Sequence, residues 1–237
     1  MFETSEGLHV FQIDDAQQAD GGSATRPRLQ LVKPAPPITG YQRYVKRGFD
    51  VTVGSIALVF ALPIMAAVAV SLRLTLGPNV LFRQRRVGRH GHDFEMVKFR
   101  TMTPSRRKAV GGYDGPERRK THKTIDDPRH TNLGRMLRRT SLDELPQLVH
   151  VVRGEMSLVG PRPELSTVVD KHGLRDHPRH AVRPGLTGTW QITHRTAGTH
   201  LFECFDDDLR YVNNVTLRND LGVITKTVAV VLNAKGM

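Results

Sequence analysis

The stretch VTVGSIALVFALPIMAAVAVSL, from Val51 to Leu72, is 22 residues long and contains no charged side chain. As a straight α-helix it would reach roughly 33 Å, about the thickness of the hydrocarbon core of a bilayer. Soluble helices rarely lack a polar face over such a length. The stretch therefore predicts a membrane-associated helix, with a buried helix of a soluble protein as the alternative.

The charges beside this stretch indicate how it meets a membrane. Basic residues stand on both sides: Arg43, Lys46 and Arg47 before it, and Arg73, Arg83, Arg85, Arg86 and Arg89 after it. The positive-inside rule draws both ends toward the cytoplasm. Pro63, near the middle, lacks the backbone N–H that a continuous helix needs. A re-entrant helix-break-helix meets both conditions, whereas a simple span remains as the alternative.

The sequence divides into three parts. Residues 1–40 are polar and proline-rich and predict a disordered tail, residues 41–76 the membrane-associated hairpin, and residues 77–237 a cytoplasmic catalytic domain. Within that domain the patterns predict a β-hairpin from Val80–Arg86 and Phe94–Arg100, followed by amphipathic helices. The expected fold class is α+β, mostly helical.

The net charge of +12 is unevenly distributed along the chain. Residues 81–139 contain 17 Lys and Arg against 6 Asp and Glu, a net charge of +11. Such a block predicts an anionic partner, which could be nucleic acid, an anionic leaflet or a phosphorylated substrate, although a solvated basic face is the alternative. The single cysteine, Cys204, excludes an intrachain disulfide framework and is compatible with a reducing compartment.

The segment from Ser141 to Leu148, SLDELPQL, contains two adjacent carboxylates. Ser141 and Glu144 have the spacing of a capping box, in which the acid serves only the helix end. The same placement also suits chemistry, because an ionised carboxylate can act as a nucleophile and a second one can hold a divalent cation. With the basic block upstream, Asp143 and Glu144 predict a phosphoryl-transfer site.

Five ordered motifs carry a resemblance to a known family. They begin at Arg83 (RQRRVG), Lys98 (KFRTM), Ser141 (SLDELPQL), Gly154 (GEMSLVGPRPE) and Arg183 (RPGLTG). Together they resemble the bacterial sugar transferases, and more narrowly the small monotopic polyprenyl-phosphate phosphoglycosyl transferases. The resemblance covers about residues 41–227. The chain departs from the family pattern at Leu62, where serine is common, and at His194, where glycine is usual.

The resemblance implies a specific reaction. Asp143 matches the family nucleophile, which attacks the sugar-bearing phosphate of a UDP-sugar and releases UMP. Glu144 matches the acid that positions Mg²⁺. The aspartyl phospho-sugar is then attacked by a polyprenyl phosphate of the undecaprenyl type, in the first membrane step of polysaccharide or glycoconjugate synthesis.

The resemblance also implies substrate-binding residues and a location. The matching positions are Lys98, Arg100, Pro161, Arg162, Pro163, Arg183, Arg195 and Asp208, with Tyr211 beside the last of them. The expected location is the cytoplasmic face of the inner membrane, in re-entrant topology, with no nucleic-acid partner.

Two other functions remain open from the sequence. An inactive homologue that regulates a polysaccharide assembly complex would keep the motifs without the chemistry. A membrane-tethered nucleic-acid-binding protein would explain the basic block, but it would leave the Asp143–Glu144 pair and the proline-flanked Arg162 unexplained. It would also lack a recognition-helix, zinc-knuckle or stacking-aromatic pattern.

Overall fold

The charge-free stretch lies within one long helix, α1 (Lys46–Leu76), which follows a short π-helical segment at Tyr41–Val45. The structure is a computed structural model that describes residues 2–3, 9–13, 28–103, 131–193 and 203–232. Among these residues, the one helix that is long and apolar enough to cross a membrane is the segment Tyr41–Leu76, judged by length and composition alone.

Helix α1 continues through Pro63. The predicted helix-break-helix is therefore wrong as secondary structure, whereas the re-entrant topology remains a prediction about the membrane. An interior proline costs a helix about 3 kcal/mol. Packing opposes that cost on both sides of Pro63, because Ala61 and Val68 are buried against the rest of the protein.

One face of α1 lies against the protein along its whole length. The buried positions are four or seven residues apart: Lys46, Asp50, Gly54, Ala61, Val68 and Leu72. This spacing is that of a single helix face. The other side exposes large apolar residues: Ile56, Val59, Phe60, Leu62, Ile64, Val70 and Leu74. From Gly54 onward the helix is thus apolar on both faces, and the protein covers one of them.

The predicted β-hairpin is confirmed to within one residue at each end. Strands β4 (Leu81–Val87) and β5 (Asp93–Phe99) pair antiparallel. A 3₁₀ turn at Arg89–Gly91 joins them, and Gly91 adopts a φ of 73°. A side chain at Gly91 would meet the carbonyl oxygen of Arg175 at 2.9 Å, so both conformation and space favour glycine there.

The helix predicted for Asn132–Arg139 is present with those bounds as α2. The side chain of Thr131 caps it by accepting a hydrogen bond from the Gly134 N–H at 2.9 Å. The next predicted helix, from Ser141 to Arg153, begins as a 3₁₀ turn at Leu142–Gln147 and continues as α3 (Leu148–Arg153).

The remaining elements complete a mostly helical α+β fold, as the sequence predicts. Strands β6 (Ser157–Val159) and β7 (Gly185–Thr187) form a short parallel pair. The other helical segments are α4 (Ser166–Lys171), a 3₁₀ turn (Pro178–Ala181), α5 (Thr189–Thr193), α6 (Glu203–Asn213) and α7 (Leu217–Leu232). Apolar residues from α1, α3, β6, α6 and α7 form the main core.

Three segments within residues 1–40 form strands, whereas the sequence predicts a disordered tail there. Strands β1 (Phe2–Glu3), β2 (His9–Ile13) and β3 (Arg28–Val32) form an antiparallel sheet in that order. The pairing of β2 with β3 joins segments that are separated by 14 residues. Local periodicity does not reveal pairing of this kind, because each strand is short and its partner is distant in the sequence.

Candidate active site

The two adjacent carboxylates are carried by a strained turn. Ser141 follows α2 and adopts a left-handed conformation, with φ 59° and ψ 14°. A non-glycine residue in this region stores strain that often marks a functional site. The Ser141 side chain does not cap the turn. The backbone carbonyl oxygen of Ser141 accepts a hydrogen bond from the Glu144 N–H at 3.1 Å. The capping-box interpretation therefore does not hold, and Glu144 is not held by a helix cap.

Asp143 is 6% exposed and lies close to Lys98 of strand β5. Burial raises the pKa of Asp143 to about 6, and the charge of Glu144 adds to this rise, while Lys98 and Arg138 oppose it. Burial also lowers the pKa of Lys98 to about 8, against the attraction of Asp143. Two oppositely charged groups with pKa values displaced toward neutrality are typical of a catalytic site.

Four of the predicted site residues line one pocket: Lys98, Glu144, Arg162 and Pro163. The Arg162 Nη1 atom lies 3.9 Å from Glu144 Oε1. Its guanidinium group also lies 5.8 Å from the centre of the Trp190 ring, a cation–π contact. The pocket wall therefore holds a carboxylate together with cationic side chains.

The loop Pro161–Pro163 is fixed from behind by hydrogen bonds to its backbone. Its three carbonyl oxygens accept, in order, from Gly185 N at 2.9 Å, Arg179 Nη2 at 2.8 Å and Arg86 Nη1 at 2.9 Å. Two prolines restrict the backbone of this loop, since each ring fixes φ. The backbone of Arg162 is therefore held by contacts that do not involve its guanidinium, which faces the pocket beside Glu144.

Sequence reasoning missed several residues of the site. Arg86, Gln147 and Gln191 also line the pocket, and Arg138 lowers the pKa of Asp143. Gln147 comes one helical turn after Asp143, so helical spacing could have identified it. Arg86 belongs to a quoted motif, but the alternation of a strand alone does not show which face meets the pocket.

Two predicted substrate-binding arginines lie elsewhere. Arg100 donates a hydrogen bond to the Leu76 carbonyl at the end of α1. Arg183 donates from Nε to the Gly154 carbonyl at 2.8 Å, next to the end of α3. Neither side chain lines the pocket. Both arginines instead hold the ends of helices, where carbonyl groups are left without intrahelical partners.

Asp208 is also not brought to the pocket. Its carboxylate is 3% exposed and accepts from Arg179 Nη2 at 2.6 Å, which makes a buried ion pair. Tyr211 is buried as well, and its hydroxyl donates to the carbonyl oxygen of Val159 at 2.9 Å. The predicted site residue Arg195 lies outside the described residues.

The predicted Mg²⁺ would be held by few protein groups. Within the described part of the chain, no group of three or more His, Cys, Asp and Glu side chains forms a metal cluster. Mg²⁺ is commonly bound by one or two carboxylates, with water and substrate phosphate supplying the other ligands. The half-buried Glu144 beside Asp143 fits this mode, because the two negative charges repel each other and a cation would relieve the repulsion.

Comparison with known proteins identifies related chains. The family model described as bacterial sugar transferase matches residues 41–234. The chain is 38% identical over 200 residues to the undecaprenyl-phosphate galactose phosphotransferase of Salmonella typhimurium. This alignment covers 82% of this chain and 42% of that protein. It is 36% identical over 197 residues to the exopolysaccharide production protein ExoY of Sinorhizobium fredii, with coverage of 81% and 87%.

A third relative is an uncharacterized sugar transferase of Haemophilus influenzae, 37% identical over 200 residues, with 82% of this chain and 42% of that protein covered. The chain thus spans less than half the length of two of these relatives and most of the third.

Proposed function

Because the chain belongs to the bacterial sugar transferase family, we propose that it moves a sugar 1-phosphate from a UDP-sugar to polyprenyl phosphate at a membrane. The observation that carries the proposal is the buried Asp143 beside Glu144 and a cationic pocket. A relative named undecaprenyl-phosphate galactose phosphotransferase supports the choice of substrates. UMP is the expected leaving product.

In the first step, the Asp143 carboxylate attacks the phosphorus that bears the sugar. The new bond joins an Asp143 oxygen to that phosphorus, and the bond from the phosphorus to the UMP oxygen breaks with its electron pair. With a pKa of about 6, Asp143 is mostly ionised at neutral pH and so is available as a nucleophile. Its low exposure restricts the access of water that would hydrolyse the acyl phosphate.

In the second step, an oxygen of polyprenyl phosphate attacks the same phosphorus. The Asp143–phosphorus bond breaks and returns the carboxylate, while the product is a polyprenyl diphosphate sugar. Both steps therefore act on the same phosphorus, and Asp143 is the nucleophile of the first step and the leaving group of the second. Each places a phosphorylated group next to Asp143, which requires counter-charge from the protein.

The cationic side chains of the pocket supply that counter-charge. Lys98 and Arg162 line the pocket and can bind the oxygens of the two phosphates, and Arg86, which holds the Pro163 carbonyl, adds positive charge to the pocket wall. Glu144 would hold Mg²⁺, which neutralises phosphate charge when bound. Arg162 is suited to bidentate binding because its guanidinium is planar and its loop is fixed.

The contacts of α1 support a location at one membrane face. Near its beginning, Lys46 forms an ion pair with Asp220 of α7 at 2.6 Å. At its end, the Leu76 carbonyl accepts from Arg100, which follows strand β5. Since polar groups of one domain bind both ends, a helix that crossed the bilayer would draw part of that domain into the hydrocarbon core. We infer a monotopic arrangement on the cytoplasmic face, where UDP-sugars are available.

Two experiments test these statements separately. Detergent-solubilised protein is incubated with Mg²⁺, polyprenyl phosphate and, in turn, UDP-galactose, UDP-glucose and UDP-N-acetylgalactosamine. UMP release that requires both substrates, together with a lipid-linked sugar diphosphate, supports the reaction. If no UMP is released with any of the three donors, the proposed reaction is contradicted and a regulatory homologue is favoured.

The second experiment tests topology in intact cells. Single cysteines are placed at residues 5 and 236 of a Cys204→Ser chain, and an impermeant thiol reagent is added from outside. Both positions are expected to stay unlabelled until the cells are permeabilised. Labelling of either one in intact cells would replace the monotopic arrangement with a true span.

A further inference from the structure

Two arginines, Arg47 and Arg183, bind backbone carbonyls at the end of α3, outside the pocket. Arg47 donates from Nη1 to the Val151 carbonyl and from Nη2 to the Val152 carbonyl, each at 2.7 Å. Arg183 donates from Nε to the carbonyl of Gly154, two residues after Val152, at 2.8 Å. A side-chain carbon added at Gly154 would lie 3.0 Å from Arg47 Nη2, which shows that Arg47 also reaches this residue.

Arg89 joins these two residues from the β4–β5 turn. It donates from Nε to the Ala181 carbonyl at 3.2 Å, two residues before Arg183. We call Arg47, Arg89 and Arg183 the arginine cluster. All three are half-buried. Their anchoring through backbone carbonyls fixes them in place without cancelling their charge.

Arg89 and Arg183 keep donors for a ligand. For each, the Nε bond is the hydrogen bond made within the described part of the chain, and the terminal nitrogens are not among the buried atoms without a partner. These terminal N–H groups are therefore open to solvent. A guanidinium group with open terminal nitrogens can bind a phosphate in a bidentate manner.

The cluster has too little negative charge around it. Burial lowers the pKa of Arg183, and the like charges of Arg89 and Arg47 lower it further, while Asp50 acts in the opposite direction. No salt bridge joins Arg47, Arg89 or Arg183 to an acid among the described residues. A group of three guanidinium ions in such surroundings favours binding of an anion.

The position of the cluster identifies the kind of anion. Arg47 is the second residue of α1, and the exposed Tyr44 and Val45 lie directly before that helix. The uncovered apolar face of α1 begins nine residues after Arg47, at Ile56. An aromatic and apolar edge beside basic side chains is the arrangement expected at the level of lipid headgroups. A lipid phosphate therefore fits this position better than a soluble anion.

We propose that Arg89 and Arg183, oriented beside Arg47, form a binding site for the phosphate headgroup of an anionic phospholipid of the leaflet. The site is separate from the pocket that Lys98, Glu144 and Arg162 line, and Arg183 acts at the lipid site rather than on the UDP-sugar. It rests on the proposed membrane association but not on the transfer reaction. Its function is to hold the beginning of α1 at the membrane surface.

The test measures lipid binding by the full chain in detergent. Dihexanoyl-phosphatidylglycerol and dihexanoyl-phosphatidylcholine, each below its micelle concentration, are titrated and binding is followed by thermophoresis. The wild-type chain is expected to prefer the anionic lipid by at least about tenfold. Arg89→Gln and Arg183→Gln should each reduce this preference about fivefold, which corresponds to about 1 kcal/mol for one basic residue at an anionic membrane surface.

Arg73→Gln is the matched control, since Arg73 is exposed at the other end of α1 and its removal changes the charge equally. Its preference should stay within about twofold of wild type. Arg183→Lys keeps the charge but lacks the planar guanidinium, so it should lose part of the preference for the anionic lipid. If Arg183→Gln does not fold, Arg183→Lys and Arg89→Gln decide the test.

Three results would overturn the proposal. The first is equal binding of the two lipids by the wild-type chain. The second is an equal loss in Arg73→Gln and Arg183→Gln, which would mean a diffuse effect of charge. The third is competition by inorganic phosphate at the concentrations at which the lipid binds, which would assign the cluster to a soluble anion. Because no measurement involves sugar transfer, these results are independent of the proposed reaction.

Discussion

The pH profile of the transfer reaction should report the two displaced pKa values of the site. Asp143 must be ionised to attack, so activity is lost as the pH falls through about 6. Lys98 must be protonated to bind phosphate, so activity is also lost as the pH rises through about 8. We therefore expect a bell-shaped profile of kcat/KM with a maximum near pH 7.

The size of the effect follows from these pKa values. At pH 5, one unit below the pKa, roughly 9% of Asp143 is ionised, and each further unit lowers that fraction about tenfold. At pH 9 the protonated fraction of Lys98 is reduced to a similar extent. Saturating Mg²⁺ should move the acid limb to lower pH, because a bound cation favours the ionised carboxylates.

The decisive perturbation is Lys98→Gln. It removes the cation that lowers the pKa of Asp143, so the acid limb should move above pH 6. It should also abolish the basic limb, since the group that titrates is gone. Initial rates of UMP release at subsaturating UDP-sugar, measured from pH 5 to 9, give both limbs directly.

Arg210→Gln is the control for a general effect of charge. Arg210 is 80% exposed on α6 and pairs with Asp207, so both limbs should stay in place when it is changed. The reasoning is refuted if the wild-type acid limb lies near pH 4, where an unperturbed carboxyl titrates. It is equally refuted if Lys98→Gln leaves the acid limb unmoved.

Three further substitutions follow from the site. Asp143→Asn should abolish turnover. At pH 7.5 it should also stabilise the fold by on the order of 2 kcal/mol, because burial disfavours the charged carboxylate above its raised pKa and asparagine carries no charge. Residual activity above a few per cent, or a lower melting temperature, would contradict this. Glu144→Gln should weaken the dependence on Mg²⁺ and lower the rate at least about tenfold, as measured by titration of the metal; a rate that is indifferent to chelators excludes the metal role. Arg162→Lys should raise KM for the UDP-sugar about tenfold, since an ammonium group cannot bind phosphate bidentately; unchanged kinetics would place Arg162 outside the site.

Local sequence patterns were sufficient for the elements whose signals lie within a few residues. The charge-free run from Val51 to Leu72 predicted α1, and the alternation around a glycine turn predicted the β4–β5 hairpin. The ordered motifs predicted the family, which the comparison confirms. They also selected Lys98, Glu144 and Arg162, which the fold brings to one pocket.

Other predictions failed where distant residues decide the outcome. Pro63 predicted a break, but burial of Ala61 and Val68 on either side of it keeps the helix continuous. Arg183 belongs to a motif that matches the family, yet its side chain turns to the end of α3. A motif specifies which residue is present, whereas packing between elements specifies which way its side chain points.

The sequence by itself therefore determined the family, the long apolar helix and the carboxylate pair of the site. Only the tertiary structure showed that Asp143 is buried against Lys98, that Asp208 is neutralised by Arg179, and that one domain binds both ends of α1. The reason is physical: burial and the field of neighbouring charges are properties of side chains brought together from distant segments. Burial and neighbouring charges decide the pKa of a carboxylate and whether an arginine can bind a ligand, and a local sequence pattern contains neither.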